Sequence, residues 1–478
     1  METLNGAASL ASTGSPCLNF FFSVLRTTEE SDLINKLEKA WDESESDTMK
    51  LIFHLRDCRG GKGERLQFVR AMKWLIREHS QSVLNNLQHI PEYGYWKDLL
   101  SIFIDTPFED TMVDFYANIL RTDMNDFSSA KSEIRNEPKY NISLAAKWAP
   151  SEGDSLDKST GIRKKFRSHL GVSNSEYRKM LSMLRSRIGI VETPMCSGKW
   201  DEINYEHVPS LAMNKYKKAF TEHDSSRFNQ YLNDVSKGEA KMNVSRLMPY
   251  QILQSFDDVA WKAYIAGLSA DGVNLGNSLA VVDVSGSMME SNIKGAPVPI
   301  DTAISLGMIL SELAQGPFHN KWITFSTDPK FEKLTGETLR EKYNNMVKTQ
   351  WNMTTNIQKV FDLLLNIATT FRVDKDKMPE RIFIFSDMQF DAAQDGKTNF
   401  TLIKEKYNKS GYSLPLIVFW NLCSKGRDFP VSKHEEYVTL VSGWSSDMLR
   451  LFINKSAFSP YSFMRMVLDS ERYAKIIV

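Results

Sequence analysis

Residues 278–288 read Ser278-Leu279-Ala280-Val281-Val282-Asp283-Val284-Ser285-Gly286-Ser287-Met288. A short apolar run without polar interruption is the pattern of a strand buried on both faces. The run ends at Asp283, after which polar side chains fall at i, i+2 and i+4. A tight loop there can aim three oxygens at one point, and Gly286 relieves the steric cost of the turn. One carboxylate and two hydroxyls are hard donors. They suit Mg2+, or Mn2+ or Ca2+, and not zinc.

The surrounding rhythm agrees with a strand. Short apolar runs at 322–325, 381–385, 414–419 and 437–441 alternate with helical patterns at 300–314, 355–370 and 445–453. Alternation of this kind predicts a doubly wound parallel sheet with helices on both faces. Ligands of such sheets sit at the carboxyl ends of strands, where the strand order reverses. Two later loops meet that condition. Thr354-Thr355-Asn356-Ile357 opens a predicted helix, and Ser386-Asp387 closes a predicted strand.

Asp-x-Ser-x-Ser followed by a threonine and an aspartate resembles the metal-ion-dependent adhesion site (MIDAS) of von Willebrand factor A-type (vWA) domains. The resemblance runs over about residues 275–455. By position it implies a metal set of Asp283, Ser285, Ser287, Thr355 and Asp387. Asn352, Met353 and Thr354 replace the glycines usual before the threonine, which leaves Thr354 and Thr355 both open as the ligand.

Upstream, from about residue 31 to 268, the pattern is helical. Apolar residues recur three and four apart in 31–41, 46–56, 64–78 and 111–121. Ser173 and Glu176 form a capping box, and Tyr177, Met180, Leu181, Leu184 and Ile188 fall on one face of the helix that follows. Many medium helices without strands predict an all-helical array of HEAT type. The expected architecture is therefore α + α/β. Residues 1–30 are set aside as a flexible segment, 31–272 as the helical domain and 273–478 as the vWA-like domain.

Two basic stretches stand out. The first is Leu55-Arg56-Asp57-Cys58-Arg59-Gly60-Gly61-Lys62-Gly63-Glu64-Arg65. It lacks the spacing of a phosphate-binding P-loop and does not follow a strand. It reads either as a solvated inter-helix loop or as an anion-contacting loop using Arg56, Arg59, Lys62 and Arg65. The second runs from Lys158 through Arg163, Lys164, Lys165, Arg167, Arg178, Lys179 and Arg185 to Arg187, with Glu176 its one acid. It reads either as a solvated helix face or as a salt-dependent RNA-binding surface. Lys215, Lys217 and Lys218 extend it.

The series Glu92 to Leu100, Ser143 to Pro150, Ile203 to Ser210 and Val441-Ser442-Gly443-Trp444, together with the glycine-rich loop, resembles an uncharacterised family of plants and large viruses. A helical domain followed by a vWA domain is also similar to the Ro autoantigen family, whose helical domain is called TROVE. That resemblance implies a helical ring that binds small and misfolded RNAs. Fold likeness alone does not transfer function.

Lysine plus arginine equals aspartate plus glutamate at 59 each, so overall charge favours no partner. The four cysteines, Cys17, Cys58, Cys196 and Cys423, form no CxxC pair, and a reducing compartment is expected. The first 17 residues lack the order of a signal peptide, and no apolar run reaches the ~18 residues of a membrane span. A cytoplasmic location follows, with the nucleus left open. The eight histidines are scattered, and no nucleophile–base arrangement is visible. The expected function is non-enzymatic: an RNA-binding ribonucleoprotein component with a magnesium-binding vWA domain. The alternative is a metal-dependent scaffold that docks a protein partner through an acidic group.

Overall fold

The computed structural model describes residues 2–3, 5–130, 142–289, 297–326, 328–348, 356–391, 398–423, 428–453 and 459–478. The chain divides into two compact units. One comprises Met1–Gln67 and Asp234–Ile476, and the other Phe68–Asn233 with Ile477–Val478.

The first unit is built on a six-stranded sheet: β1 (Ser278–Asp283), β2 (Lys321–Phe325), β3 (Phe331–Lys333), β4 (Arg381–Ser386), β5 (Leu416–Asn421) and β6 (Val438–Ser442). The order is β3-β2-β1-β4-β5-β6. All pairings are parallel except that of β2 with the edge strand β3. Every residue of β1, β4, β5 and β6 is buried. That explains their unbroken apolar sequences, since a strand covered on both faces has no polar side. Leu279, Val281, Ile382, Ile384, Ile417, Phe419 and Leu440 share one core with Phe361 of the helix Ile357–Thr370 and Phe400 of Asn399–Ser410. On the other face, Gly307 brings the helix Pro299–Leu313 against β1. A Cβ at that position would lie 2.4 Å from Val282 Cγ2.

Some boundaries moved. The strand expected at 414–419 begins at Leu416, the helix expected at 445–453 is a 3₁₀ segment over Ser446–Phe452, and β3 was not expected at all. A three-residue edge strand is too short for periodicity to reveal.

The larger difference lies at the N-terminus. In place of a flexible segment, Pro16–Ser23 forms a helix capped by Ser15, with Cys17, Leu18, Phe20, Phe21, Phe22 and Ser23 buried. Its C-terminal carbonyls are held by the sheet. Ser442 Oγ donates to Phe21 O at 3.0 Å, and Asn421 Nδ2 to Phe22 O at 3.5 Å. Residues 1–67 thus belong with the sheet and not with the helices after them. The apolar Phe20-Phe21-Phe22 run needs a core, and β5 and β6 supply it.

The second unit is helical. Glu109–Ala130, Ala145–Trp148, Ile162–Leu170 and Asn174–Ile188 are among its helices. The capping box forms as expected: Glu176 N donates to Ser173 Oγ at 3.2 Å and Ser173 N to Glu176 Oε2 at 2.7 Å. Tyr177, Met180, Leu181 and Leu184 are buried from that helix. Among the described residues, no helix is long and apolar enough to cross a membrane.

Candidate metal centre

β1 and β4 are neighbours, yet the chain reaches β2 before β4. The strand order therefore reverses between them, and the carboxyl ends of β1 and β4 flank the crevice where doubly wound sheets bind ligands. Asp283 ends β1 and Ser386 ends β4. Their side chains meet there, with Ser386 Oγ donating to Asp283 Oδ2 at 2.6 Å. The same serine oxygen accepts from Met388 N at 3.1 Å, which fixes the loop that carries Asp387.

The first loop closes around the other carboxylate oxygen. Ser285 N donates to Asp283 Oδ1 at 2.9 Å. Ser285 Oγ lies 3.0 Å from Ser287 Oγ. Asp387 Oδ1 accepts from Gln389 N at 3.2 Å, and Met388 sits at a φ of +65°. A non-glycine residue in that region stores local strain, a feature that clusters at ligand sites.

Asp283 and Asp387 are both almost wholly buried. Burial first, and then the charge of Asp387, push the Asp283 carboxyl up to about 7, against the hydrogen bonds from Ser285 and Ser386. Among the described residues no lysine or arginine forms an ion pair with Asp283. Two carboxylates with two hydroxyls make an all-oxygen donor set, and the buried negative charge is what a hard divalent cation offsets. The residues fit such an ion. No group of three or more His, Cys, Asp or Glu gathers among the described residues. The hydroxyls therefore decide the character of the site.

Of the five positions expected to hold metal, the structure brings together Asp283, Ser285, Ser287 and Asp387. Thr355, like Thr354, lies outside the described residues. The sequence did not reveal that Ser386 clamps Asp283. Nor did it reveal the segment that braces the second loop, where Thr3 Oγ1 donates to Phe390 O at 2.6 Å and Asn5 Nδ2 to Gln389 O at 2.8 Å. Contacts across more than 380 residues leave no local signal.

The glycine-rich stretch is neither of the loops expected. Arg56 and Lys62 are 2% and 1% exposed, so neither is available to a phosphate. Lys62 Nζ donates to Phe21 O and, at 3.0 Å, to Val24 O, filling carbonyls at the end of the Pro16–Ser23 helix. Burial pushes its ammonium down to about 7, with Glu64 opposing. Glu64 pairs with Arg26 at 2.9 Å. Asp57 takes Arg472 Nη2 at 2.7 Å and the Tyr473 hydroxyl at 3.0 Å. Burial would raise Asp57, but these donors outweigh it and hold the carboxyl below its usual range. Gly61 permits the turn, because a Cβ there would lie 2.2 Å from His54 O. Only Arg59 of the four basic candidates is exposed, and Arg65 is half-buried.

The 158–187 cluster is partly neutralised. Arg163 pairs with Asp157 at 2.9 Å, Lys165 with Glu109 at 2.7 Å and Asp110 at 2.9 Å, and Arg178 with Glu152 at 3.4 Å. Arg185 donates to the carbonyls of Ala146 and Ala149. Arg167 is half-buried, with its Nε enclosed, and Arg187 is exposed. Lys158, Lys164 and Lys179 are exposed and carry no ion pair among the described residues. The acids that neutralise these residues, Asp157, Glu109, Asp110 and Glu152, all lie outside residues 158–187.

A family model described as a domain of unknown function (DUF2828) matches residues 3–106, 107–176 and 163–358. A second (DUF7788) matches residues 277–473. An uncharacterised protein of Acanthamoeba polyphaga mimivirus is 33% identical over 508 residues, covering 98% of this chain and 87% of its own length. The chain belongs to the DUF2828 family. The expected likeness to a family found in large viruses is thus met. The DUF2828 chain also aligns with the crystal structure of the Deinococcus radiodurans Ro (Rsr) protein. Identity is 13%, coverage is 95% of this chain and 100% of that one, and the TM-score is 0.46.

Proposed function

We propose that the sheet unit is a vWA-type domain that binds a divalent cation, Mg2+ foremost, and uses it to dock an acidic group of a partner protein. The observation that carries this is the buried Asp283–Asp387 pair at the reversal of strand order, set among the hydroxyls of Ser285, Ser287 and Ser386. Asp283, Ser285, Ser287 and Asp387 would hold the ion, with Thr355 or Thr354 added. With so few protein charges, the ion keeps positions for water or for a carboxylate or phosphate of the ligand. We read the protein as non-enzymatic, since the Ser285 and Ser386 hydroxyls bond the Asp283 carboxyl as parts of one oxygen donor set for a cation. The test is a titration of Mg2+ or Mn2+ into the metal-free protein, with a partner pull-down. Saturable binding lost in Asp283→Ala, and a pull-down lost with both chelator and that variant, support the reading. An unchanged set of partners in Asp283→Ala overturns it.

A second reading, that the protein is a TROVE-like RNA-binding ribonucleoprotein component, is favoured by Lys158, Lys164 and Lys179, which are exposed and carry no ion pair among the described residues. Filter binding at low salt tests it. No RNA retention, or retention untouched by Lys164→Glu with Lys179→Glu, removes it.

A further inference from the structure

The helical unit contains a cleft of about 680 Å³ whose lining includes Lys147, Trp148, Arg185, Glu192, Thr193 and Lys215. That volume suits a ligand of nucleotide size. A second cleft of about 510 Å³ shares Ile190, Thr193 and Ser197 with it, so a chain can continue beyond the first ligand.

The lining has a definite chemistry. Arg185 is fixed by Nε donating to Ala146 O at 2.8 Å and Nη2 to Ala149 O at 3.0 Å. Both partners are neutral carbonyls, and Arg185 forms no ion pair among the described residues, although the charge of Asp154 lies near it. Lys147 and Lys215 add two further cations to the same lining. Trp148 stacks on Tyr95 at 5.8 Å and gives the cleft a rigid aromatic wall. Glu192 is the one acid of the lining among the described residues. Its Oε1 accepts from the Tyr216 hydroxyl at 3.0 Å, and Lys215 Nζ donates to that hydroxyl at 2.9 Å. Its Oε2 is buried, with no hydrogen-bond partner among the described residues. An unmet buried acceptor calls for a donor.

We propose that this cleft binds a nucleoside phosphate whose base carries an amino group. Lys147, Arg185 and Lys215 take the phosphate, Trp148 stacks the base and Glu192 accepts from the amino group. Guanidinium and ammonium donors form the stronger, charge-assisted bonds to phosphate. Any base can stack on an aromatic ring, whereas a carboxylate accepts well from the exocyclic amino group of adenine or cytosine and poorly from uracil, whose one free N–H lies between two carbonyl oxygens that repel it. The nucleotide is free or is a unit of an RNA strand. Only in the second case does the proposal rest on the RNA reading, and it uses none of that reading's exposed lysines.

The full-length protein is titrated calorimetrically with AMP, CMP, UMP, inorganic phosphate, and cytidine and uridine hexamers. AMP and CMP are expected to bind saturably and about tenfold more tightly than UMP or phosphate. Lys215→Glu, an exposed charge reversal, should weaken all nucleotides by about tenfold. Glu192→Gln, which offers a donor to uracil, should bring CMP and UMP within about threefold of each other. Circular dichroism checks that both variants fold. If only mononucleotides respond to these variants the ligand is free, and if the hexamers respond it is a strand. No saturable binding of AMP or CMP overturns the proposal. So does phosphate binding as tightly as CMP, or indifference to both variants. If hexamer binding moves with Lys164→Glu and Lys179→Glu but not with Lys215→Glu, the RNA reading stands and the cleft assignment falls.

Discussion

Two tight, polar turns of the sheet unit bury charge in opposite ways. After β1, Asp283 is buried beside a second carboxylate, with hydroxyls and an amide around it. In the glycine-rich turn, Asp57 meets Arg472, Glu64 meets Arg26 and Lys62 meets backbone carbonyls. Where the fold compensates each charge from within, the residues hold the structure together. Where it concentrates charge of one sign, at Asp283 and Asp387, the proposed cation would supply the other sign. A buried ion is costly unless paired, so an arrangement that looks uncompensated marks function more reliably than an abundance of charge does.

This contrast can be broken most strongly at Asp57. Asp57→Ala leaves Arg472 and the Tyr473 hydroxyl without their acceptor and is expected to cost about 3–5 kcal/mol in urea denaturation. A loss under about 1 kcal/mol would show that the turn is not the structural element described. Asp283→Ala should behave in the opposite way. It should lower divalent-ion affinity by on the order of 100-fold in calorimetry while leaving the metal-free protein at least as stable. Ser386→Ala, which removes the hydroxyl that holds Asp283, should cost about tenfold in affinity for the proposed ion.

The pH dependence sharpens the comparison. Folded Asp283 keeps its proton to about pH 7, whereas an unfolded aspartate releases it near 3.8. The folded state binds more protons in that window, so metal-free stability falls as pH rises from about 4 to 7. Lys62 has the reverse sign. Its folded value of about 7 lies below the unfolded 10.5, so its contribution makes stability rise from about pH 7 to 10.5. Each slope is at most about 1.4 kcal/mol per pH unit. Urea midpoints measured against pH should lose the falling limb in Asp283→Asn, or with saturating Mg2+, and lose the rising limb in Lys62→Met. Limbs that persist would undo the assignment of each charge. The smallest effect is expected in the helical unit. Neutralising Lys164 or Lys179 should reduce the salt dependence of RNA binding by about one phosphate contact each, and Arg163, already paired with Asp157, should change it less.

The sheet was legible because its information is local. An unbroken apolar run bounded by polar turns can satisfy its backbone only as a buried strand, and β1, β2, β4, β5 and β6 all followed from such runs. The Asp283-Val284-Ser285-Gly286-Ser287 loop was legible for the same reason, since its oxygens come from neighbouring residues at the end of one strand. Charge was not legible. The count over 158–187 found a single acid, but Glu109, Asp110 and Glu152 arrive from outside the stretch. Arg56 and Lys62 looked solvated because sequence shows charge and not exposure.

The sequence by itself determined the five buried strands β1, β2, β4, β5 and β6 and the amphipathic helices around them, and which side chains end β1. Periodicity and side-chain chemistry act over a few residues and need no partner. Only the tertiary structure decided that Ser386 grips Asp283, that residues 1–67 join the sheet, and which basic residues keep their charge free. Those outcomes depend on desolvation and on partners tens to hundreds of residues away, and no short window of sequence contains them.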